Sequence, residues 1–508
     1  MPAGVNQTIA KNTLALYFRS IIVMLVSLYT SRVVLETLGA DDFGIYNVVG
    51  GVVVLFSFIQ GAMATATQRY LNYELGKGDS DAVSRVFSMS MTVHIAIAIL
   101  IVLLSETIGL WFLNTQMQIP PKRYEATQWV YQFSIITCCI NILRVPYNAS
   151  IIAYEKMSFY AYISILEVLM KLAVVYLLLL TDGDKLVVYS LLMFIVPVVV
   201  SVVYRQFCRT KFSTCNYHLF WDKSLFKEIF GFSAWSLFGS LANLGATQGI
   251  NILLNIFCGV AVNAAMGLAQ QVNSAVNQFI TNFQTAFVPQ IVKLYAKEER
   301  EEFIKLIFRS SKMSYYLILM IGMPVLLYAR PLLSLWLHEV PEYTVQFTQL
   351  MIVFSMIDAV SGPLWNSVQA TGKIRNYQIL MASIISLNVP FAYIVLKLGF
   401  SPIIVLVIRV SLNLILHFVR IFYLKGVFDF PSWQYIKEVM FRVVVVTIFS
   451  LPVPVFIFRM RPSPSVAALF AYVVLIVAQT FVVIAILGLN VDERRVVKMG
   501  LEKKFLGK

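Results

Sequence analysis

Residues 229–292 read IFGFSAWSLFGSLANLGATQGINILLNIFCGVAVNAAMGLAQQVNSAVNQFITNFQTAFVPQIV, and these 64 residues contain no Asp, Glu, Lys or Arg. They are not simply apolar. Twelve side-chain amides lie between Asn243 and Gln284: Asn243, Gln248, Asn251, Asn255, Asn263, Gln270, Gln271, Asn273, Asn277, Gln278, Asn282 and Gln284. Ser236, Ser240, Asn243, Thr247, Asn251 and Asn255 recur every three or four residues, so they share one face of a helix. After a break at Cys258-Gly259-Val260, Gln270, Ser274, Asn277, Thr281 and Gln284 repeat the pattern. An amide facing hydrocarbon costs roughly 1–3 kcal/mol. A dozen would exceed a domain stability of about 5–15 kcal/mol. The stripes therefore face protein or water. Amides also cross-link membrane helices, but twelve exceed what such glue requires. The hairpin reads as one wall of an aqueous cavity, and amides that both donate and accept suit hydroxyl-rich ligands.

The rest of the chain fits an apolar frame. Of 508 residues, 59% are hydrophobic and 13% charged, with a mean hydropathy of +0.77. Soluble proteins carry about 25% charged residues, so the chain reads as a multi-spanning membrane protein. The net charge of +14 is scattered between apolar segments rather than gathered on a soluble face, which argues against nucleic acid as a partner. Five cysteines (Cys138, Cys139, Cys208, Cys215, Cys258) form no CxxC pair, and the four histidines are dispersed, so no metal site or disulfide framework follows. The first apolar segment, from Leu14, lacks a small-residue cleavage site and reads as an uncleaved signal anchor.

A span needs about 20 apolar residues, and fourteen segments qualify: 12–38, 43–71, 86–113, 127–152, 158–180, 186–207, 229–257, 262–290, 309–337, 344–370, 376–397, 401–424, 438–458 and 465–488. With a cytosolic N-terminus, thirty of the forty basic residues fall at cytosolic ends and loops, four of them between Arg420 and Arg442. Eight fall outside: Arg32, Lys122, Arg123, Lys185, Arg330, Lys397, Arg459 and Arg461. That asymmetry places both termini in the cytosol.

An internal repeat is visible. Residues 146–156 align without a gap on 363–373, with Pro, Ser, Ala and Lys coinciding, and Tyr160 falls on Tyr377 at the same offset of 217. Gly39 and Lys77 fall on Gly259 and Lys297 at an offset of 220. A six-helix offset implies a parallel repeat. The expected fold is all-α and integral to the membrane: two six-helix lobes around a central cavity, plus two C-terminal helices. The domains are then an N-terminal lobe at 1–207, an inter-lobe loop at 208–228, a C-terminal lobe at 229–425, helices 13–14 at 426–490 and a basic tail at 491–508.

Ionisable residues within spans cost roughly 2.5–3.5 kcal/mol each and mark function or pairing. Arg19 and Arg32 lie in helix 1. Glu167 and Lys171 sit at i,i+4 in helix 5, suited to an ion pair. Asp358 lies in helix 10 and Arg409 in helix 12, while Arg69 and Arg144 sit near cytosolic helix ends, where interface anchoring is the plainer reading. Together with Asn243, Gln248, Asn251, Asn255, Gln270, Asn277, Gln278 and Gln284 they are the candidate cavity residues. No HExxH, P-loop or GxSxG motif appears, so the chain reads as a transporter rather than an enzyme.

Arg32 to Leu35, leading into Leu38-Gly39-Ala40-Asp41-Asp42-Phe43-Gly44-Ile45-Tyr46-Asn47, with Gln68-Arg69-Tyr70 and Gly76-Lys77-Gly78-Asp79, resembles the N-terminal signature of polysaccharide-biosynthesis flippases. These are the Wzx-type members of the multidrug/oligosaccharidyl-lipid/polysaccharide (MOP) exporter superfamily. The resemblance implies two lobes around a V-shaped cavity and outward movement of undecaprenyl-diphosphate-linked oligosaccharide by alternating access in the bacterial inner membrane. That supports O-antigen, capsule or exopolysaccharide synthesis. By that analogy Arg19, Arg32 and Arg69 would hold the diphosphate. Many Wzx-type members have twelve helices; fourteen resembles the lipid II flippase layout. The implied partners are the lipid-linked oligosaccharide, the bilayer, and a polysaccharide polymerase with its glycosyltransferases. No cofactor is expected beyond a coupling proton or sodium ion. Two alternatives stand: a multidrug or organic-cation exporter on the same fold, which central cations disfavour, and an integral-membrane glycosyltransferase or polymerase, for which the largest outer loop is too small.

Overall fold

The computed structural model describes residues 3–54, 57–115, 120–337, 339–460, 465–490 and 493–494. Several side chains before residue 61, that of Arg32 among them, and the predicted tail beyond Arg494 lie outside the described residues. The described secondary structure is helical, with no strand. In chain order the helices are α1 (Ala3–Val54), α2 (Ser57–Lys77), α3 (Ser80–Thr115), α4 (Pro121–Ala153), α5 (Met157–Leu179), α6 (Lys185–Lys211), α7 (Lys223–Cys258) and α8 (Val260–Ala296). They continue as α9 (Arg300–Trp336), α10 (Thr344–Thr371), α11 (Arg375–Lys397), α12 (Pro402–Phe428), α13 (Ser432–Met460) and α14 (Val466–Gly488). Eleven of these, α3–α7 and α9–α14, are long and apolar enough to cross a membrane. α1 adds a shorter apolar stretch, Asn12–Ser27, and with α2 and the amide-bearing α8 the helices fit the roughly fourteen expected.

Local chemistry sets the boundaries. Asp79 caps α3 through Ala82 N–H at 2.9 Å, Asp184 caps α6 through Leu186 N–H at 3.0 Å, and Ser401 precedes Pro402 at the start of α12. Pro390 lacks the N–H of a continuing helix, and α11 is accordingly interrupted at Leu387. In α3 a wide turn at Ser105–Gly109 has the Ser105 carbonyl accept both from Leu110 N–H and from the Tyr131 hydroxyl, the latter at 2.7 Å.

The chain packs as two compact units. Among the described residues, one holds Ile9–Leu237 with Tyr295–Lys297; the other holds residues 3–8, Phe238–Leu294 and the chain from Glu298 to Arg494. The boundary therefore falls inside α7, not in the 208–228 loop, and the contacts explain why. Phe232 of α7 packs edge-on against Tyr70 of α2, with centroids 6.1 Å apart. The loop itself is strapped to the first unit: Phe212 stacks on Tyr154 at 4.1 Å, Thr214 bonds the Tyr154 hydroxyl at 2.8 Å, and His218 Nδ1 lies 3.1 Å from Ser88 Oγ. Helices α13 and α14 are likewise not a loose addition to the second unit. Lys312 Nζ of α9 pairs with Glu493, just beyond α14, at 2.9 Å with both side chains buried. Tyr316 OH donates to the Gly488 carbonyl at 3.2 Å, and Tyr315 bonds Thr447 at 2.7 Å.

Backbone conformation repeats between the units. Nine described residues have positive φ, and six form pairs at the offsets read from the sequence. Gly39 (78°) matches Gly259 (85°) and Gly78 (79°) matches Glu298 (59°) at 220; Glu155 (59°) matches Gly372 (77°) at 217. Each pair marks the same turn in the helix order. Gly39 adds a ψ of 168°, a region essentially closed to residues with a Cβ, although nothing lies within 4 Å of where that Cβ would sit. Gly39→Ala should therefore destabilise the protein through backbone strain alone, by about 1–3 kcal/mol. Gly78→Ala, at a turn whose partner tolerates Glu298, should cost less; thermal unfolding of the two variants in detergent checks the order.

Candidate functional site

Beside the Lys312–Glu493 pair, the described residues hold a group of charged side chains within the helices of each unit. In the second unit, α7, α10, α11 and α12 line a partly open cavity. One face of α12 contributes Arg409, Asn413, Leu416 and Arg420, at i, i+4, i+7 and i+11. Helix α7 adds Asn243 and Thr247, α10 adds Phe354 and Asp358, and Asn388 comes from the interruption in α11. The Arg409 guanidinium lies 4.8 Å from the Phe354 ring centroid and reaches Thr247 Oγ1 at 3.4 Å through Nη2. Arg420 Nε donates to the Tyr377 hydroxyl at 2.7 Å, and Asn413 Nδ2 to the Phe354 carbonyl at 3.1 Å. Asp358 is open to the cavity and makes no hydrogen bond or ion pair among the described residues.

In the first unit, Glu167 of α5 is held by two cations: Lys171 Nζ on the same helix at 2.8 Å and Arg144 Nη1 from α4 at 3.2 Å. Arg19 of α1 lies over Tyr160 of α5, 4.8 Å from its centroid, and reaches Ser164 Oγ at 3.5 Å. Tyr204 of α6 closes the group, with the Arg144 guanidinium 5.6 Å from its ring centroid. Two cations thus hold the carboxylate, and a third, Arg19, meets the same helix through Tyr160 and Ser164. Arg69 is placed differently, buried in the C-terminal half of α2, its guanidinium 4.5 Å from Tyr70 and 4.7 Å from Tyr73. Arg144 is not the interface anchor the sequence reading preferred; it completes the Glu167 pair.

The amide stripes divide. Of the eight amides expected to line a cavity, Asn243 lines this one. Gln270 Nε2 donates to Asn251 Oδ1 at 3.2 Å, tying α8 to α7, while Asn251 also bonds Gln248 at 3.2 Å. Asn277 donates to Ser355 Oγ of α10 at 2.8 Å, and Ser355 donates to Asn273 at 2.6 Å. Gln284 reaches the Ala359 carbonyl at 3.4 Å over the bare face of Gly362, where a Cβ would lie 2.2 Å from the amide. These are helix cross-links. Gln248, Asn255 and Gln278 are exposed, Gln278 donating to Asn282 at 3.2 Å. Sequence reasoning missed Arg420, counted with the cytosolic cations, and Asn388 and Asn413. The i+11 spacing from Arg409 to Arg420 was the available signal.

Helices of this number and length define a multi-pass membrane protein, and one of its two charged groups lines a cavity. The chain matches the polysaccharide biosynthesis protein family over residues 9–295, more than half its length, and belongs to that family. No curated protein matches it. Its fold is that of MOP-superfamily transporters. It is similar to a structure described as that of a MATE mutant (TM-score 0.72, 13% identity, 85% of this chain and 97% of that one). It is also similar to an outward-facing multidrug resistance MATE family transporter of the MOP superfamily (0.69, 13%, 82% and 95%). A third is a MOP superfamily transporter from Pyrococcus furiosus, described as having a binding pocket of reverse polarity (0.68, 14%, 85% and 96%). Family and fold are those of exporters and flippases, not enzymes.

The triad predicts a measurable coupling. Glu167→Gln strands Arg144 and Lys171 and should cost roughly 1–3 kcal/mol, less than a fully buried pair, because these side chains keep 21–35% of their exposure. Adding Arg144→Gln should recover part of that loss. Additive losses in thermal unfolding would show that the contact carries no energy.

Proposed function

We propose that this protein moves a lipid-linked oligosaccharide, joined through a diphosphate to a polyprenol such as undecaprenol, from the cytosolic to the outer leaflet by alternating access. The reading places it in the bacterial inner membrane with both termini cytosolic, serving surface polysaccharide synthesis. One observation carries it: α5 holds Glu167, paired to Arg144 and Lys171, and also seats a third cation, Arg19, on Tyr160 and Ser164. Three cations against one anion leave a formal charge of +2. An uncompensated charge in a membrane span costs roughly 2.5–3.5 kcal/mol, so a site with two to spare is stable when it serves an anion. A diphosphate diester carries two negative charges and supplies oxygens for charge-assisted hydrogen bonds. Family membership supports the substrate class. The multidrug alternative asks for the opposite sign, since an organic cation needs surplus carboxylate, and both charged groups here are net positive.

Arg19→Gln and Arg144→Gln, made separately, should each lower export of surface polysaccharide by roughly tenfold or more, the worth of one charge-assisted contact. Membrane levels of the protein should be unchanged. Wild-type glycan from both variants at normal expression would sink the diphosphate reading.

A further inference from the structure

We infer that the cavity lined by α7, α10, α11 and α12 is a subsite for a carboxylate-bearing sugar of the transported glycan. The inference rests on the flippase reading but uses different residues from those assigned to the diphosphate.

Charge comes first. Arg409 and Arg420 against Asp358 leave +1 in this cavity, where the first unit's group leaves +2. A single carboxylate neutralises +1. A dianion would leave one uncompensated negative charge inside the membrane, where such charge is expensive, and a neutral sugar would leave the cation uncompensated.

The unused hydrogen-bonding groups narrow the ligand further. Arg409 Nη2 is engaged by Thr247, but Nη1, which is buried, has no partner. Asn388 is only 7% exposed; its Nδ2 is tied to the Ile385 carbonyl at 2.8 Å, and its Oδ1 has no partner. A buried polar group left unmatched costs about 1–3 kcal/mol, so two in one cavity point to a ligand with complementary groups. One is a cationic donor and the other a neutral acceptor, with the Asp358 carboxylate as a second acceptor. A bare inorganic anion would satisfy the donor and be repelled by both acceptors. A sugar acid satisfies all three: its carboxylate meets Arg409, and its hydroxyls donate to Asn388 and Asp358.

The test uses the full chain in lipid nanodiscs and calorimetry with glucuronate, glucose, acetate and inorganic phosphate. Glucuronate should bind, and the other three should bind at least roughly tenfold more weakly. Arg409→Gln and Asn388→Ala should each weaken glucuronate binding by about tenfold. If Arg409→Gln does not fold, Asn388→Ala, which removes no charge, carries the test. No glucuronate binding, equal binding of glucose, acetate or phosphate, or unchanged affinity in the folded variants would overturn the inference. Farnesyl diphosphate separates the two readings. Its binding without glucuronate's sinks this subsite alone, and glucuronate's binding without it sinks the diphosphate reading while this subsite stands.

Discussion

A charge inside a membrane-spanning helix must meet a partner within the protein or its ligand, because hydrocarbon offers none. That constraint orders this structure. Lys312 and Glu493 satisfy it fully: buried and 2.9 Å apart, they leave no residual charge, and they seat the end of α14 against α9. A pair of this kind is weak evidence for stability, since desolvation offsets much of the attraction. What it fixes is position, because either partner alone would be a stranded charge.

The two charged groups within the units depart from that balance. Glu167 is held by both Arg144 and Lys171, while Arg19 finds an aromatic face and a hydroxyl rather than a carboxylate. Arg409 lies over Phe354, and Arg420 bonds Tyr377. Aromatic and hydroxyl contacts temper a cation without neutralising it. Each unit therefore stays folded while keeping net positive charge available, the condition a binding site for an anion requires.

Much of this frame is legible in the sequence, because the apolar helices and the repeat depend on patterns local to the chain: runs of about 20 apolar residues, and turns. The amide stripes show where local pattern stops. Spacing shows that Asn277 and Gln284 share a helix face, but not that the facing surface is Ser355 and the Ala359 carbonyl of α10 rather than water. Arg144 and Glu167 are 23 residues apart on different helices, and nothing in their spacing announces the contact. Arg420 was hidden by proximity to a basic loop, although its register with Arg409 was in plain view.

The repeat shows which properties persist when side chains diverge. Turn geometry does: left-handed backbone recurs at Gly39 and Gly259, Gly78 and Glu298, and Glu155 and Gly372, even where glycine has given way to glutamate. The matched tyrosines also persist, each holding an arginine, but the arginines arrive from unmatched places. Tyr160 takes Arg19 from α1 through its ring, and Tyr377 takes Arg420 from α12 through its hydroxyl. A backbone scaffold held in common, with cations delivered from different helices, lets each unit set its own charge without disturbing the fold. The +2 of one and the +1 of the other follow from that freedom.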